Sequence, residues 1–405
     1  MTSDNAAIGV ILNPNAGHFR TRKGEKEFRR LVGDWRKGGY LQERYKDRIV
    51  IGAKHKADDI QYTCDEFFER GIALVVTVGG DGTQGNIHTS MARRAWERNK
   101  KDLEWLMEEP ADKPMINFLK LLNTANGVRL PYFYNVIGGT VYVCSKMIGA
   151  TDSLEHALDN AFLALDKGQG MESFRRIYIP TIIGYSAEEP DNPSRMEVFF
   201  QYADAGIRRF FDEYYKDKGP GKPDMSTAYW LIAKAITSLP IPGGFVYQLG
   251  EKIPCNVEVN GIKLPIEKRS ALVASTIHGS LYGLEPFHRA RRKFEDFERH
   301  YEKGEMEEAP GRAAERPFHI MTGDVDPWRI FLSLKKVFKG EPADIKGMYD
   351  ILAREVVIEQ LGDVKYIADG TRKEEGRTLV LTSGFEIGVP LLHEPPLLNA
   401  EQPTK

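Results

Sequence analysis

The stretch from Ile72 to Thr83, IALVVTVGGDGT, is an apolar run that ends abruptly at a glycine-rich motif. Residues 72–78 are rich in β-branched side chains and show no polar alternation, which is typical of a strand buried on both faces in a parallel sheet. Residues 84–94 have a helical pattern. The sequence therefore predicts that the motif joins the carboxyl end of a buried strand to a helix.

The motif itself is typical of an anion-binding loop. Gly79, Gly80 and Gly82 allow positive φ angles and close backbone approach, and N–H groups at the start of a helix can converge on a phosphate. Asp81 is the exception, because a carboxylate beside phosphates is repulsive unless a cation bridges them or the carboxylate accepts a proton from a hydroxyl. A plain Gly-Asp-Gly turn is the alternative interpretation.

Composition sets the outer limits of the prediction. The chain has 405 residues, of which 41% are hydrophobic and 28% are charged, enough for two domains with cores of their own. A formal net charge of -2 does not indicate a nucleic-acid partner. Three widely separated cysteines predict neither a disulfide framework nor a zinc site, so a cytoplasmic location is expected. The N-terminus does not read as a signal peptide, and no run approaches the roughly 20 apolar residues of a spanning helix.

Two further turn-rich motifs follow predicted strands. Residues 7–12 form a short apolar strand that leads into Asn-Pro-Asn-Ala-Gly at 13–17, and the strand at 132–137 leads into Gly-Gly-Thr at 138–140. Strands and helices alternate between these motifs, which predicts an α/β domain with a doubly wound, mostly parallel sheet. Ligands of such sheets bind outside the carboxyl ends of the strands, where all three motifs are expected.

The second half of the chain has a different pattern. Short β-type runs interrupted by Gly, Pro and Asn predict a second, β-rich sandwich domain of largely antiparallel strands. We therefore predict a nucleotide-binding domain at 1–150, a β-rich acceptor domain at 151–390 and a flexible tail at 391–405. A polar insertion at 97–128 contains a further helical pattern, and the sequence gives it no role.

The three loops, N-P-x-x-G, G-G-D-G-T and G-G-T in this order, resemble those of the diacylglycerol kinase catalytic domain family. This family includes sphingosine, ceramide and bacterial lipid kinases, and its N-terminal domain is similar to that of NAD kinases and phosphofructokinases. The resemblance implies an enzyme of lipid metabolism, including phospholipid biosynthesis, that uses ATP and Mg²⁺. It would transfer the γ-phosphate to a lipid hydroxyl, with diacylglycerol as the leading acceptor and a sphingoid base as the second.

The resemblance also implies a set of nucleotide-binding residues. The first loop would shape the nucleotide site, the glycine-rich motif would hold the triphosphate with Asp81 as a catalytic residue near the metal or the γ-phosphate, and the third loop would close the site. These residues are Asn13, Gly17, Gly79, Gly80, Asp81, Gly82, Thr83, Gly139 and Thr140.

Near the end of the chain, residues 366–371 resemble the D-G-E element of the family, which returns to the active-site cleft. Asp369 aligns with its aspartate and would be the second catalytic residue, a general base for the lipid hydroxyl. Asp-Gly is also a favoured hairpin pair, so a tight turn between two strands is an equal alternative.

Four features depart from the family pattern. Gly85-Asn86 stands near the place of an Asn-Glu pair, Thr371 replaces a glutamate, Ala53 replaces a nucleotide-contacting threonine, and an acidic metal element before the strand at 318 is not evident. No metal ligand is therefore assigned. Two alternatives remain open: a small-molecule kinase of the NAD kinase type, and a family member that binds nucleotide or lipid without catalysis.

A membrane-borne substrate would require contact with a lipid surface. Residues 287–303 form a basic, amphipathic helical pattern that could dock on anionic lipid, but acidic residues throughout 295–308 favour a solvated helix instead. Peripheral association with a membrane and a homodimer are both compatible with the sequence.

Overall fold

The computed structural model describes most of the chain. It divides into two compact units, the first made of Met1–Arg98, Arg129–Ile179 and Ile387–Lys405 and the second of Asn99–Val128 and Pro180–Glu386. The described residues are 8–16, 19–34, 37–53, 57–99, 114–122, 130–137, 153–216, 225–277, 316–338, 341–342, 345–394 and 396. The basic pattern predicted at 287–303 lies outside them.

Strands and helices alternate in the first unit, and strands dominate the second. The strands are β1 (Ile8–Leu12), β2 (Gly33–Asp34), β3 (Lys37–Gly38), β4 (Ile49–Ala53), β5 (Leu74–Gly79), β6 (Tyr132–Ile137), β7 (Arg176–Ser186), β8 (Glu197–Phe199), β9 (Gln201–Asp204), β10 (Ile253–Val259), β11 (Ile262–Lys263), β12 (Lys268–Arg269), β13 (Ala271–Ser275), β14 (Phe318–Gly323), β15 (Met348–Ala353), β16 (Glu355–Gln360), β17 (Val364–Ala368), β18 (Thr371–Glu375) and β19 (Thr378–Pro390). The α-helices are α1 (Arg22–Val32), α2 (Tyr40–Tyr45), α3 (Ala57–Glu69), α4 (Asp81–Asn99), α5 (Pro114–Leu121), α6 (Leu154–Asp166), α7 (Ala205–Lys216), α8 (Met225–Thr237), α9 (Phe245–Leu249) and α10 (Pro327–Phe338).

The first unit is built on a four-stranded parallel sheet in the order β4-β1-β5-β6. All residues of β1 and β5 are buried, which explains their continuous apolar sequence. β1 lies between β4 and β5, with Leu12 opposite both Ala53 and Val78. The predicted parallel sheet, with the glycine-rich motif at the end of a central strand, is confirmed.

Helices cover both faces of this sheet. α3 packs on β1, since a Cβ on Gly9 would meet the ring of Phe67 at 2.4 Å. α4 packs on β6, where His88 and Phe133 are in edge-to-face contact with ring centroids 4.7 Å apart. Gly9 and Phe133 are both register partners of Val75, so the contacts of α3 with Gly9 and of α4 with Phe133 lie on the same face of the sheet. The chain crosses from β1 to β4 in the opposite direction, so right-handed crossovers place α1 and α2 on the other face. The doubly wound fold is confirmed.

α6 packs with α1 and α2. Arg30 of α1 pairs with Glu155 of α6 at 2.6 Å, and the rings of Tyr45 and Phe162 stack with centroids 5.0 Å apart. The sequence-based boundary at residue 150 assigned this helix to the second domain, whereas it belongs to the first unit. α5, from the polar insertion, belongs to the second unit, where the Met115 N–H donates to Asp191.

The second unit is a sandwich of two sheets. One has the order β11-β10-β16-β19-β7-β8, with β12 also paired to β10, and the other has the order β15-β14-β13-β9-β17-β18. Every pairing in the second of these sheets is antiparallel. Side chains of both sheets form one core, for example Val257, Ile358 and Leu381 with Leu272 and Ile320. The predicted β-rich sandwich is confirmed.

A buried ion pair links the two sheets of this sandwich. The Arg269 guanidinium, on β12, lies 2.8 Å from Asp204 on β9, and both side chains are almost fully buried. Asp204 also accepts hydrogen bonds from the Tyr202 hydroxyl at 3.0 Å and from the Leu272 N–H at 2.7 Å, while Arg269 donates to Gln360 at 2.9 Å. Removing one partner of such a pair leaves an uncompensated buried charge, which costs about 3–5 kcal/mol.

The ordered chain continues past the predicted start of the tail. Leu391 and Leu392 are buried. The Leu391 N–H donates to the carbonyl of Arg175 at 2.8 Å, and the amide of Asn160 donates to the carbonyl of Leu392 at 2.7 Å. The predicted tail boundary at 391 is therefore too early, because two leucines that follow Pro390 still have an apolar surface to cover. Among the helices that the structure describes, none combines the length and hydropathy needed to cross a bilayer.

The contact between Gly9 and Phe67 generates a prediction about stability. Gly9→Ala should lower the free energy of unfolding by about 1–3 kcal/mol, because α3 must move away from β1 to admit the methyl group. Urea unfolding measures this change. Gly362→Ala is the matched control, since a Cβ there meets nothing within 4 Å. An equal effect of the two substitutions would contradict the close packing of α3 on β1.

Candidate functional site

The candidate site lies where the order of strands reverses. From β1 the chain moves to β4 on one side and then returns to β5 and β6 on the other, so the carboxyl ends of β1 and β5 form a topological switch point. Ligands of doubly wound sheets bind at such a point. The loop after β1 begins at Asn13, and the glycine-rich motif begins at Gly79, the last residue of β5. The structure therefore brings two of the three predicted loops together.

The glycine-rich motif is shorter than a loop. β5 ends at Gly79, α4 begins at Asp81, and Gly80 is the single residue between them. The sequence placed the helix start near residue 84, which is wrong, because the N–H groups of Thr83 and Gln84 already donate to the Gly80 carbonyl at 2.9 and 3.3 Å.

Close packing, and not a positive φ angle, explains why residue 79 is a glycine. Gly79, Gly80 and Gly82 are all described, and none of the three has a positive φ. A Cβ on Gly79 would lie 2.8 Å from the Cβ and 2.9 Å from the Oγ1 of Thr83. Glycine at position 79 is thus what allows the first turn of α4 to fold back onto the end of β5.

Asn13 fastens the first loop to this turn. Its side-chain Nδ2 donates to Thr83 Oγ1 at 2.8 Å, and its backbone N–H donates to the Val78 carbonyl at 3.0 Å. Its Oδ1 accepts from the Asn15 N–H at 2.9 Å, and its carbonyl accepts from the Ala16 N–H at 2.9 Å. One residue therefore fixes the 13–16 turn against both β5 and α4.

Asp81 is the charged residue in the glycine-rich motif. It is the first residue of the 19-residue helix α4, is half-buried, and its Oδ1 atom is buried. A carboxylate at a helix N-terminus interacts favourably with the helix dipole, typically by 0.3 to about 1 kcal/mol. The same end of the helix attracts phosphate, so Asp81 stands where an anion and a bridging cation would both be expected.

Buried polar side chains lie beneath the first turns of α4. Thr77 and Asn135 pair across β5 and β6 and are both buried, and Gln84 and His88 follow on α4. Burial lowers the pKa of His88 from its usual 6.5 to about 3, so the imidazole is neutral at pH 7. Our sequence analysis did not identify this layer, although polar residues inside otherwise apolar strands are a readable signal.

The remaining predicted residues are placed as follows. Gly17, Gly139 and Thr140 lie outside the described residues. Gly82 lies in the first turn of α4 between Asp81 and Thr83. Ala53, where the family pattern has a threonine, is the last residue of β4 and pairs with Leu12.

Asp369 belongs to the second unit and is a turn residue. Asp369 and Gly370 have φ angles of 45° and 78° and connect the antiparallel strands β17 and β18. This confirms the hairpin alternative. The buried carboxylate accepts hydrogen bonds from the N–H groups of Phe200 at 3.1 Å and Gln201 at 2.9 Å, so it also fixes the hairpin to the start of β9. Its action as a general base stays a prediction.

The described residues offer one carboxylate and one helix N-terminus to a nucleotide with Mg²⁺. Within the described ranges, His, Cys, Asp and Glu side chains do not gather in groups of three or more that could hold a metal ion. Mg²⁺ in phosphoryl-transfer sites is commonly held by one or two carboxylates together with substrate phosphates and water. A single carboxylate, Asp81, at a helix N-terminus meets that minimum.

Comparison with known proteins supports the same family. Residues 7–104 match the family model described as the diacylglycerol kinase catalytic domain, which confirms the resemblance over this part of the chain. The search of curated protein sequences found no match to this chain.

Two solved structures share the fold. Each is of a "putative diacylglycerol kinase" from Bacillus anthracis str. Sterne and is 14% identical in sequence, with 94% of this chain and 96% of the other covered. The TM-scores are 0.52 and 0.51. At this identity the likeness concerns the fold alone, and it extends through both units.

The hydrogen bond between Asn13 and Thr83 can be measured by a double-mutant cycle. Asn13→Ala and Thr83→Val should each destabilise the fold, and their effects should be coupled by about 0.5–1.5 kcal/mol, because either change removes the same bond. Urea unfolding of the wild type, both single variants and the double variant gives the coupling. Thr83→Ser retains the hydroxyl and should retain most of the coupling, whereas simple additivity in Thr83→Val would exclude the bond.

His88 predicts a pH dependence of stability. Its pKa in the folded state lies below that of the unfolded chain, so protons bind preferentially to the unfolded chain. The contribution of the neutral imidazole to the free energy of unfolding is therefore fully present above about pH 6.5, and it is lost as the pH falls towards 3. Between about pH 7 and pH 5, the wild type should lose about 1–2 kcal/mol more unfolding free energy than His88→Gln. Parallel curves for the two proteins in urea unfolding would refute the buried neutral imidazole.

Proposed function

We propose that this protein is an ATP-dependent lipid kinase that transfers the γ-phosphate of Mg·ATP to a lipid hydroxyl. One observation carries the proposal. The hydrogen bond from Asn13 to Thr83 joins the loop after β1 to the glycine-rich motif at the switch point of the sheet, and both lie inside the region that matches the kinase family model. Diacylglycerol is the leading acceptor, and a sphingoid base is the second. We place the enzyme in the cytoplasm, peripherally at a membrane.

The residues of the first unit would act mainly by position. The start of α4, from Gly80 to Gly82, would hold the phosphates through backbone N–H groups and the helix dipole, and the Thr83 N–H would close the turn beneath them on the Gly80 carbonyl. Asp81 would hold the metal ion beside them, and Mg²⁺ would supply neutralisation of the charge that develops on the phosphates. Asn13 and Thr83 would keep the two loops in register, because neither loop can shift without breaking their shared bond. Gly139 and Thr140 would complete the site by family resemblance.

A simpler role for Asp81 competes with this one. An aspartate in the first helical turn stabilises the helix whether or not it meets a metal ion. The two roles differ in consequence, since asparagine is also an acceptable residue near a helix start but has no charge to offer to Mg²⁺. Substitution by asparagine therefore separates them.

Asp369 would accept the proton of the lipid hydroxyl. Support for this role comes from the resemblance to the D-G-E element, and its turn geometry is compatible with a structural role alone. A carboxylate that already accepts two backbone N–H bonds retains lone pairs for a further partner.

The kinase is tested by transfer of labelled γ-phosphate from Mg·ATP to diacylglycerol, sphingosine, ceramide and NAD. We expect label in a lipid, and we expect Asp81→Asn to reduce transfer by at least about a hundredfold, because charge stabilisation of this kind typically contributes about 10²–10³ to the rate. Urea unfolding of Asp81→Asn should remain close to that of the wild type. Asp369→Asn, assayed in parallel over pH, should lose transfer only if Asp369 is the base.

The other outcomes have definite meanings. Label in NAD and in no lipid would replace the lipid kinase by a small-molecule kinase. ATP binding without transfer to any acceptor would favour the non-catalytic alternative and give Gly85-Asn86 and Thr371 their significance. Full activity of Asp81→Asn would remove Asp81 from the mechanism and leave it as a helix-stabilising residue.

A further inference from the structure

One segment of the second unit is almost free of charge. Residues 225–249 span α8, the turn after it and α9, and contain one charged residue, Lys234, in a chain that is 28% charged overall. The turn reads Ser-Leu-Pro-Ile-Pro-Gly-Gly at 238–244. A segment that formed an ordinary solvated surface would be expected to carry several charges.

The outer face of this segment is apolar. Leu231 and Ala235 of α8 are buried in the unit, whereas Tyr229 and Trp230 are 60% and 59% exposed. Ile236 lies about two turns after Tyr229 on the same exposed face, and Ile241 is exposed in the Pro-Ile-Pro turn. The helix therefore has an apolar inner face and an apolar outer face, a pattern that water alone does not explain.

α10 carries a related stripe. Trp328, Leu332 and Lys336 are spaced by four residues and are all exposed, with Leu332 75% exposed. The helix contains three basic residues and no acidic one. It is therefore a cationic helix with an exposed apolar side, which is typical of segments that lie in a membrane interface.

The two stripes are neighbours through α9. α9 contacts both α8 and α10, and the Tyr247 hydroxyl of α9 donates to the Leu239 carbonyl at 3.2 Å. We name the exposed residues of the three helices and the turn the apolar surface: Tyr229, Trp230, Ile236, Ile241, Tyr247, Trp328 and Leu332.

The charged residues within α8 and α10 are cationic, and the two described acidic residues just before α10 are paired. The ammonium group of Lys234 lies 5.2 Å from the ring centre of Trp230 and 4.1 Å from that of Phe245. Asp324 and Asp326 precede α10 and both pair with Lys252. A negatively charged surface could approach α8 and α10 without meeting an acidic residue on either helix.

We propose that the apolar surface docks this protein on an anionic lipid bilayer. Trp and Tyr side chains prefer the interface between headgroups and acyl chains, and cations near the surface contribute about 1 kcal/mol each with anionic lipid. Ile241, held between two prolines, would enter the acyl boundary. Lys234 and Lys336 have apolar stems long enough to reach the headgroups.

A second copy of the chain fits this surface less well. A two-fold interface places the same surface on both partners, so one surface that carries Lys234 and the basic residues of α10 would face a second surface with the same cations. Like charges in a desolvated interface are unfavourable. An anionic bilayer satisfies both the aromatic residues and the cations.

Docking rests on the proposed function for its purpose, but its test measures no phosphoryl transfer. The purified full chain is sedimented with vesicles of phosphatidylcholine alone and of phosphatidylcholine with phosphatidylglycerol. We expect binding to the anionic vesicles that weakens as salt is raised. Vesicles with brominated acyl chains should quench tryptophan fluorescence, and Trp230→Phe and Trp328→Phe should each remove part of that quenching.

A charge-bearing variant and a matched control complete the test. Ile241→Glu combined with Leu332→Glu should weaken partitioning into the vesicles by at least about tenfold. Each change replaces an apolar side chain that the bilayer would bury with a carboxylate, which anionic lipid repels. Ile262→Glu with Leu361→Glu is the control, since both residues are highly exposed and lie outside these helices, Ile262 on β11 and Leu361 in the connection between β16 and β17. The control should bind within about twofold of the wild type.

Each outcome decides between the occupants. Loss of binding in the charged variant alone supports docking through the apolar surface, even if no acceptor is ever phosphorylated. Equal binding of both variants, or no binding by the wild type, overturns it, even if the enzyme phosphorylates a short-chain diacylglycerol in solution. A dimer in sedimentation equilibrium that dissociates in the charged variant would replace the bilayer by a second copy.

Discussion

The contact between Gly79 and Thr83 is the constraint on which the first unit depends. With any side chain at 79, the first turn of α4 would have to move away from the end of β5, since a Cβ would lie 2.8 Å from that of Thr83. The short connection aims the helix N-terminus at the carboxyl edge of the sheet and brings Thr83 Oγ1 within 2.8 Å of the Asn13 amide. The absence of a Cβ at residue 79 therefore permits the close approach of the two loops.

Much of this could be predicted from the sequence, because buried parallel strands and glycine-rich motifs leave strong local signals. The start of α4 could not. Glycine has a low helix propensity, so the pattern placed the helix start after the motif, whereas packing on β5 and β6 stabilises the first turn from Asp81 onwards. β18 leaves no strand signal of its own, and only the hairpin alternative at Asp369-Gly370 implied a strand at this place. Its sequence, Thr-Arg-Lys-Glu-Glu, lacks an apolar face, and its pairing with β17 at the edge of the sheet defines it as a strand.

Asp369 shows where sequence reasoning reaches a physical limit. The same Asp-Gly pair suits a type of turn that needs positive φ at both residues and suits a catalytic element. The structure gives the turn, and it also engages the carboxylate with the Phe200 and Gln201 N–H groups. Those bonds stabilise the ionised carboxylate, so accepting a proton would weaken them. A catalytic role would therefore have to tolerate a cost to the hairpin that a purely structural role does not meet.

A lipid kinase needs a polar site for its nucleotide and an apolar surface for its lipid. The two units of this chain differ in polarity in the same way. The described residues of the proposed nucleotide site, Asn13, Asp81 and Thr83 among them, belong to the first unit, where backbone amides and the Asp81 carboxylate supply polarity. The apolar surface belongs to the second unit and combines aromatic residues with cations. A kinase for a soluble nucleotide such as NAD has no use for exposed Trp230 and Leu332 on helices without acidic residues. The docking proposed for that surface would therefore support a lipid acceptor over NAD, on grounds independent of the nucleotide motifs.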